Sequence, residues 1–446
     1  VGVVEQRPAD WINALAEAID AMPELGSHVP EAVGLCGQTP TVVPVDEHGL
    51  PTRNALTWQD GRASREAVEL AERFGDPLTL IGTELPWSAS NMPAKLLWLS
   101  RHEPELRRET RFILQPKDFI GMTLTGSPLS DAWSSKGLCR VTDGAPAAAV
   151  LDACGWNADV CPSTAAPWEP RGTITATAAQ RFGLKVGTPV SVGASDAIAQ
   201  MIASGSFARR SAFFFSGTSS IVGTTVVNES VRVPGLFSVP ATCVPSRVIY
   251  GPTQSGGAAL AWSAKLLGID VDDLFALAAS SGPSWPIFVP YLSGERAPLW
   301  NLDVRALFVG VDEQHGRAEI AMAAVVGTFL SPRDVLALIE ETAHEPLNEI
   351  EVVGRGVNNH DWESIAMRTL GLPLRFHTDP DMSARGSAML ALALSGTTVD
   401  EASRQLSDES RLVHPETRDV DTARDLLARY RRASQLALQW LEPEPA

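Results

Sequence analysis

One carboxylate in this 446-residue chain is placed where it could take a proton from a hydroxyl. Asp196 closes the run PVSVGASD (189–196), in which Val190 and Val192 alternate as in a short strand and Gly193 allows a turn. The small-residue stretch AIAQMIASG (197–205) then reads as a helix. Next comes SAFFFSGTSSIVGTTVV (211–227), two β-rich runs joined by Gly217, Thr218, Ser219 and Ser220. A tight turn of glycine and hydroxyl residues aims several backbone N–H groups one way, and such a nest binds phosphate. A base near a phosphate nest suits phosphoryl transfer, with the base taking the acceptor's proton and the nest holding the nucleotide. Pattern alone gives Asp196 a second reading, as the plain N-cap of the helix it opens.

Two further loops share this chemistry. Ser255, Gly256 and Gly257 open a helix, and GRGVNN (354–359), with Gly354, Gly356 and Asn358, lies between a strand and a helix. Glycine at a helix N-terminus lets phosphate approach backbone N–H groups closely. Singly, each loop reads as well as a turn; three of them after one carboxylate point to a nucleotide. None ends in Lys-Ser or Lys-Thr, so none is a Walker A loop. Upstream, TWQDGRA (57–63) gathers Trp58, Asp60 and Arg62. That loop suits a polyol held by hydrogen bonds and stacking, or a solvated turn whose Asp60 caps the next helix. Glu295 and Arg296 in SGERAP (293–298) read as a structural ion pair. The histidines show no metal-ligand spacing. Trp11, Trp58, Trp98 and Trp133 read as core or pocket walls.

Interleaved strands and helices must position these loops, which favours an α/β chain of two or three domains at this length. Helices are expected over 8–22, 94–107, 176–183, 256–268 and 419–441, and strands over 32–37, 112–115 and 348–354. The span 317–341 reads as one helix interrupted near Pro332, and 143–175, rich in Ala, Pro, Gly and Thr, as irregular. EPEPA reads as a tail. A net charge of −17 disfavours nucleic acid and anionic membranes as partners. No apolar run reads as long enough to span a bilayer. Five cysteines without a C-x-x-C pair read as buried hydrophobes in a reducing cytoplasm, not as a zinc site or a disulfide framework.

At this point the chain resembles the FGGY carbohydrate kinases, and within them the xylulokinase-like members. The likeness is colinear over nearly the whole length. It runs through VEQRPADW (4–11), AVGLCGQ (32–38), VDEHGLPTRNALTWQDGRA (45–63), AKLLWLSRHEPEL (94–106) and LQPKDFIGMTLTG (114–126). It continues through GTPVSVGASDAIA (187–199), FSGTSSIV (215–222), VPYLSGERAPLWNLDVRALFVGV (289–311), GRGVNNHDW (354–362) and SARGSAMLALA (383–393). The resemblance implies two domains of the actin-like, ribonuclease H-like ATPase fold with sugar and ATP in the cleft between them. It implies domains over 1–196, the sugar side, and 197–446, the nucleotide side. It makes Asp196 the general base and sets Gly217, Thr218 and Ser219 on ATP phosphates. Gly256, Gly257, Gly354, Gly356 and Asn358 would lie near the nucleotide, and Trp58, Asp60 and Arg62 near the sugar. Magnesium would accompany ATP. The implied activity is phosphorylation of a ketopentose such as xylulose, or of a related ketose or polyol. The implied partners are these small molecules, and the resemblance leaves room for a homodimer.

Departures qualify the expectation. The family opens with a strand-turn-strand unit, "GIDxGTTxxK", whose Asp helps hold the metal, and nothing here matches it. Its lack would leave unpaired strand edges in the first sheet. The chain thus reads as truncated at its start or, alternatively, as a catalytically impaired sugar- or nucleotide-binding relative; truncation is the expectation. Where xylulokinases carry "GQMHG", whose Met and His touch the sugar, this chain has Gly37, Gln38, Thr39, Pro40 and Thr41. The Asn that usually follows the base is Ala197, and the Glu of the family's "LEG" helix is Val326. These changes point to an altered or relaxed sugar pocket.

Overall fold

The structure, a computed structural model, describes residues 2–440 apart from Ser27, Leu85 and Arg355. The EPEPA tail and the Arg of GRGVNN therefore lie outside the described residues. The chain forms two compact units. The first comprises Val1–Ala203, Val239–Arg247 and Asp381–Ser407; the second comprises Ser204–Ser238, Val248–Pro380 and Asp408–Ala446.

The second unit is built on a seven-stranded sheet. Its order is Phe237–Val239, Val248–Thr253, Ser220–Thr225, Ala212–Ser216, Ile350–Gly354, Leu374–His377 and Ser410–Val413. Ala212–Ser216 is central, antiparallel to Ser220–Thr225 and parallel to Ile350–Gly354. Its run AFFF is buried throughout, as a strand covered on both faces requires. Phe214, Val222, Val352, Phe329, Trp362 and Tyr430 belong to one continuous core beneath the helices.

The helix Arg317–Ala343 corrects two expectations. It is continuous, with Pro332 inside it. Proline there removes one main-chain donor, but the helix around it is buried on nearly all sides, and that packing holds it together. It is also long and apolar enough to cross a membrane by composition. Of that apolar window, 83% is packed inside the protein, which makes it a core helix.

In the first unit the sheet is reduced to short pairings. Ala194–Ser195 runs parallel to Cys36–Gly37, and Val43–Val45 antiparallel to Phe112–Leu114. Glu5–Gln6 pairs with Ala55–Leu56, and Pro170–Thr173 with Pro189–Ser191. The strand expected over 32–37 is regular only at Cys36–Gly37, with one isolated bridge from Val33 to Val190. The stretch 143–175 is more ordered than its composition suggests. It carries the helix Ala148–Ala153, a single 3-10 turn and the strand Pro170–Thr173. Val150 and Leu151 anchor that helix in a core shared with Leu96 and Leu99.

Candidate active site

Asp196 is set by the strand that leads into it. Gly193 has φ +81°, and a Cβ there would lie 2.3 Å from the Leu35 carbonyl oxygen, so only glycine fits the crossing. The Val192 carbonyl just before it accepts from the buried Lys117 Nζ at 3.3 Å. Lys117 is itself fixed by Asp118 (2.6 Å) and Asp131 (2.9 Å). The following pairs, Ala194 with Cys36 and Ser195 with Gly37, lead directly into Asp196 on one strand and Gln38 on the other.

Asp196 begins the helix Asp196–Ala203, yet the cap belongs to its neighbour. Ser195 Oγ accepts the Ile198 N–H at 3.3 Å, three residues on. The Asp196 carboxylate accepts the adjacent Ala197 N–H, at 2.7 Å, and the residue is exposed. Helix Met382–Ala393 backs this helix. A Cβ on Gly386 would lie 1.8 Å from the Ala199 carbonyl oxygen, and Ser383 Oγ donates to the Asp196 carbonyl at 3.2 Å. Crowding by protein atoms raises the Asp196 carboxyl above its ordinary value, while the Ala197 N–H and the Lys136 charge hold it back. A carboxyl shifted toward neutrality is a better proton acceptor at working pH than one of ordinary strength.

The residues expected near a sugar differ in how free they are. Gln38 Nε2 donates to Gln6 Oε1 at 2.7 Å in an exposed contact. Thr39 precedes Pro40 through a cis peptide bond. Trp58 is 38% exposed, enough to offer an open ring face. Asp60 is buried and receives the Val4 N–H (2.9 Å) and the Arg62 Nε (3.0 Å). Burial opposes its ionisation, but those bonds bring the carboxyl below its ordinary value. Arg62 also bonds Glu5 at 2.7 Å and stacks over the Trp98 ring at 4.6 Å. Trp58 thus presents open surface and Gln38 is half-buried and bonded to Gln6, whereas Asp60 and Arg62 are engaged with each other. A cavity of about 320 Å³ lies beside Gln38, lined among others by Gln6, Trp11, Leu35, Cys36 and Lys117.

In the second unit the three expected nucleotide loops meet at one end of the sheet. Ser216 is opposite Ser220 on one side and Gly354 on the other. Ser220 is opposite Thr253. The turn 217–219, the loop 254–256 and the loop after Gly354 therefore emerge side by side, beyond the carboxyl ends of the parallel strands, where open α/β sheets bind ligands. Gly217, Thr218 and Asn358 are exposed and Ser219 is half-buried. Gly256 and Gly257 are packing glycines: added Cβ atoms would meet Ser220 Oγ at 2.9 Å and the Gly217 carbonyl oxygen at 2.9 Å. The Gly257 and Ala258 N–H groups donate to the carbonyls of Gly217 and Thr218 (2.8 and 3.0 Å). That fastens the helix start to the turn. Gly354 has φ +133°, and Gly356 packs its Cα on the Trp362 ring.

Two buried charges, Lys95 and Lys136, escaped the sequence reading, and a third, Glu295, has other partners than the one expected. Lys95 Nζ donates to the carbonyls of Thr57 (2.7 Å) and Pro40 (3.2 Å), and burial pulls its ammonium down to about 7. Lys136 donates to the Trp133 carbonyl at 3.2 Å and lies over that ring; burial pulls it down to about 8, opposed by Asp131 and Asp196 among others. Glu295 is no partner of its neighbour's guanidinium. It accepts the backbone N–H groups of Gln254 and Arg296 and the Ser331 hydroxyl, while Arg296 Nη2 donates to the Thr253 carbonyl at 2.8 Å. Burial pushes Glu295 up to about 7. A charge inside an apolar run, as in AKLLWL, was the signal available for Lys95. Among the described residues no group of three or more His, Cys, Asp or Glu side chains could hold a metal.

Likeness to known proteins makes the class of this one a carbohydrate kinase, a phosphotransferase. Residues 1–203 match the N-terminal domain of the FGGY family of carbohydrate kinases, and residues 212–395 match its C-terminal domain. The chain belongs to this family. It is 30% identical over 403 residues to the xylulose kinase of Escherichia coli (strain K12), covering 87% of this chain and 81% of that one. Over 446 residues it is 25% identical to the xylulose kinase of Bacillus subtilis (strain 168), covering 96% and 88%. A ligand-bound xylulose kinase from Lactobacillus acidophilus superposes with a TM-score of 0.88 at 20% identity, covering 98% of this chain and 91% of that one. The fold is the two-domain actin-like, ribonuclease H-like ATPase fold.

Proposed function

We propose that this protein transfers the γ-phosphoryl group of ATP to a hydroxyl of a ketose or polyol, a ketopentose such as xylulose being the first candidate. The observation that carries this reading is the parallel pairing of Ala194–Ser195 with Cys36–Gly37, which leads into Asp196 on one strand and Gln38 on the other, with the Asp196 carboxylate free of the helix cap. In this reading Asp196 takes the proton of the acceptor hydroxyl. The oxygen attacks the γ-phosphorus, the bond to the β-phosphate oxygen breaks, and ADP leaves. Gln38, Thr39 and the open face of Trp58 hold the sugar. Gly217, Thr218, Ser219 and Asn358 face the phosphates, where backbone N–H groups offset the negative charge. Gly256, Gly257, Gly354 and Gly356 shape that surface, and Asp60 and Arg62 brace the sugar loop.

Magnesium enters as part of the Mg-ATP substrate. In such sites it keeps several waters and takes phosphate oxygens with one or two carboxylates, so a preformed cluster of acidic residues is not required. The test is ADP release with Mg-ATP over ketopentoses, ketohexoses, tetritols and pentitols. Turnover with one class establishes the kinase and its acceptor. No turnover with any of them, together with sugar or nucleotide binding by calorimetry, would replace this reading with a non-catalytic binding protein.

A further inference from the structure

Lys95 lies on the helix Met92–His102, among Leu96, Leu97 and Leu99, and its side chain is fully buried. Among the described residues no carboxylate is bonded to it. An ammonium in such surroundings is costly, and leucine or methionine would fill the same volume without that cost. What the amine adds is two hydrogen bonds, to the main-chain carbonyls of Pro40 and Thr57. These carbonyls belong to two separate loops. Thr39 precedes the first and Trp58 follows the second, so the residues next to the fastened carbonyls are those assigned above to the sugar. Gln115 Oε1 supports the same arrangement by accepting the Thr41 N–H at 2.9 Å.

We propose that Lys95 is a positioning residue that sets the spacing between the Gln38–Thr41 loop and the Thr57–Arg62 loop, and thereby the width of the sugar site. The spacing follows from geometry alone; its meaning for sugar binding rests on the kinase reading above. One ammonium reaching two carbonyls acts as a strut of fixed length. Without it the carbonyls lose a charged donor, and the two loops are left to the backbone bridge between Val42 and Leu56 at their bases, which does not reach Pro40 or Thr57.

The test compares Lys95→Met with the unaltered chain in two measurements, with circular dichroism to verify the fold. In hydrogen exchange followed by mass spectrometry, peptides covering 38–42 and 57–62 exchange roughly tenfold faster, with the second unit unchanged. In kinetics with D-xylulose and Mg-ATP, KM for D-xylulose rises roughly tenfold or more while KM for ATP holds within about twofold. Unchanged exchange at both loops overturns the proposal, as does a KM for ATP that rises in step with that for D-xylulose. Should Lys95→Met fail to fold, Lys95→Gln, which keeps one amide donor, goes through the same two measurements. An unaltered chain inert toward every acceptor overturns the kinase reading instead, and exchange then decides the strut.

Discussion

Ser195 lies opposite Gly37 in a two-residue parallel pairing, and Ser195, not Asp196, caps the helix that follows. One residue therefore does two structural jobs, register and cap. Its neighbour is left with a carboxylate that no fold requirement consumes.

Asp196→Asn keeps the shape of the side chain and removes its basicity. Turnover should fall by about 10²–10⁴-fold, the range of a general base, with KM for the sugar changed only a few-fold. Steady-state kinetics on the best acceptor of the panel would decide it, and near-normal turnover would remove Asp196 from the base role.

Gly386→Ala tests the backing of the base from the other side. Its Cβ would stand 1.8 Å from the Ala199 carbonyl oxygen, on the helix that begins with Asp196. Backbone cannot give way as a flexible side chain can, so the two helices must part. The expected loss is on the order of 2 kcal/mol of stability, as for overpacking elsewhere, together with a fall in turnover. Denaturant titration and kinetics on the same sample would measure both.

Glu295→Leu removes the acceptor for the Gln254 and Arg296 N–H groups and so loosens the loop that leads to Gly256. KM for ATP should rise several-fold and more than KM for the sugar, with roughly 1–3 kcal/mol lost through the orphaned donors. Equal effects on both substrates would make Glu295 a general fold residue.

Stability should depend on pH through His377. Both its ring nitrogens meet carboxylates, Nε2 with Glu351 at 2.8 Å and Nδ1 with Asp408 at 2.7 Å, in a buried cluster that also holds Arg209, Ser211 and, more distantly, Arg375. Burial opposes the imidazolium, but Asp408 and Glu351 raise the ring above its ordinary 6.5. For a raised histidine, the stabilisation is complete below the unfolded value and is lost as pH climbs through the folded one. Glu351 works the opposite way: burial opposes its charge, yet the His377 and Arg209 bonds lower it, so its share is lost as pH falls below 4.5. Melting temperature should therefore decline above about pH 6.5, and His377→Gln should flatten that decline. An unchanged slope in the variant would assign the titration elsewhere.

The β-rich run AFFF, several helices and the glycine turns were legible from the chain because each is a local pattern; the helix caps were not, since neither Asp60 nor Asp196 serves as one. Asp196 was legible for the same reason, though whether it or Ser195 caps the helix was not, since that depends on a 3.3 Å contact. The engagement of Asp60 with Arg62 and Val4 was hidden, because the Val4 donor lies 56 residues away. Gly256 and Gly257 read as phosphate contacts from composition, whereas close approach of the 217–219 turn explains them at least as directly. Lys95 and Glu295 were opaque: their partners are main-chain groups on other loops, which side-chain patterns do not reveal. The helix through Pro332 shows tertiary burial overriding a local breaker.

The helix that backs Asp196 comes from residues 382–393, after the Ser204–Ser238 and Val248–Pro380 segments of the second unit. On a ribosome, the first 203 residues emerge without it. Gly34 and Gly386, each with a Cβ position inside two ångströms of another segment's carbonyl oxygen, can find those contacts only at the end. The part of the molecule that holds the proposed base is thus finished only after residues 204–380, six of the seven sheet strands among them, have been synthesised. A nascent chain arrested before residue 381 would carry the whole Asp196 sequence without the helix that backs it.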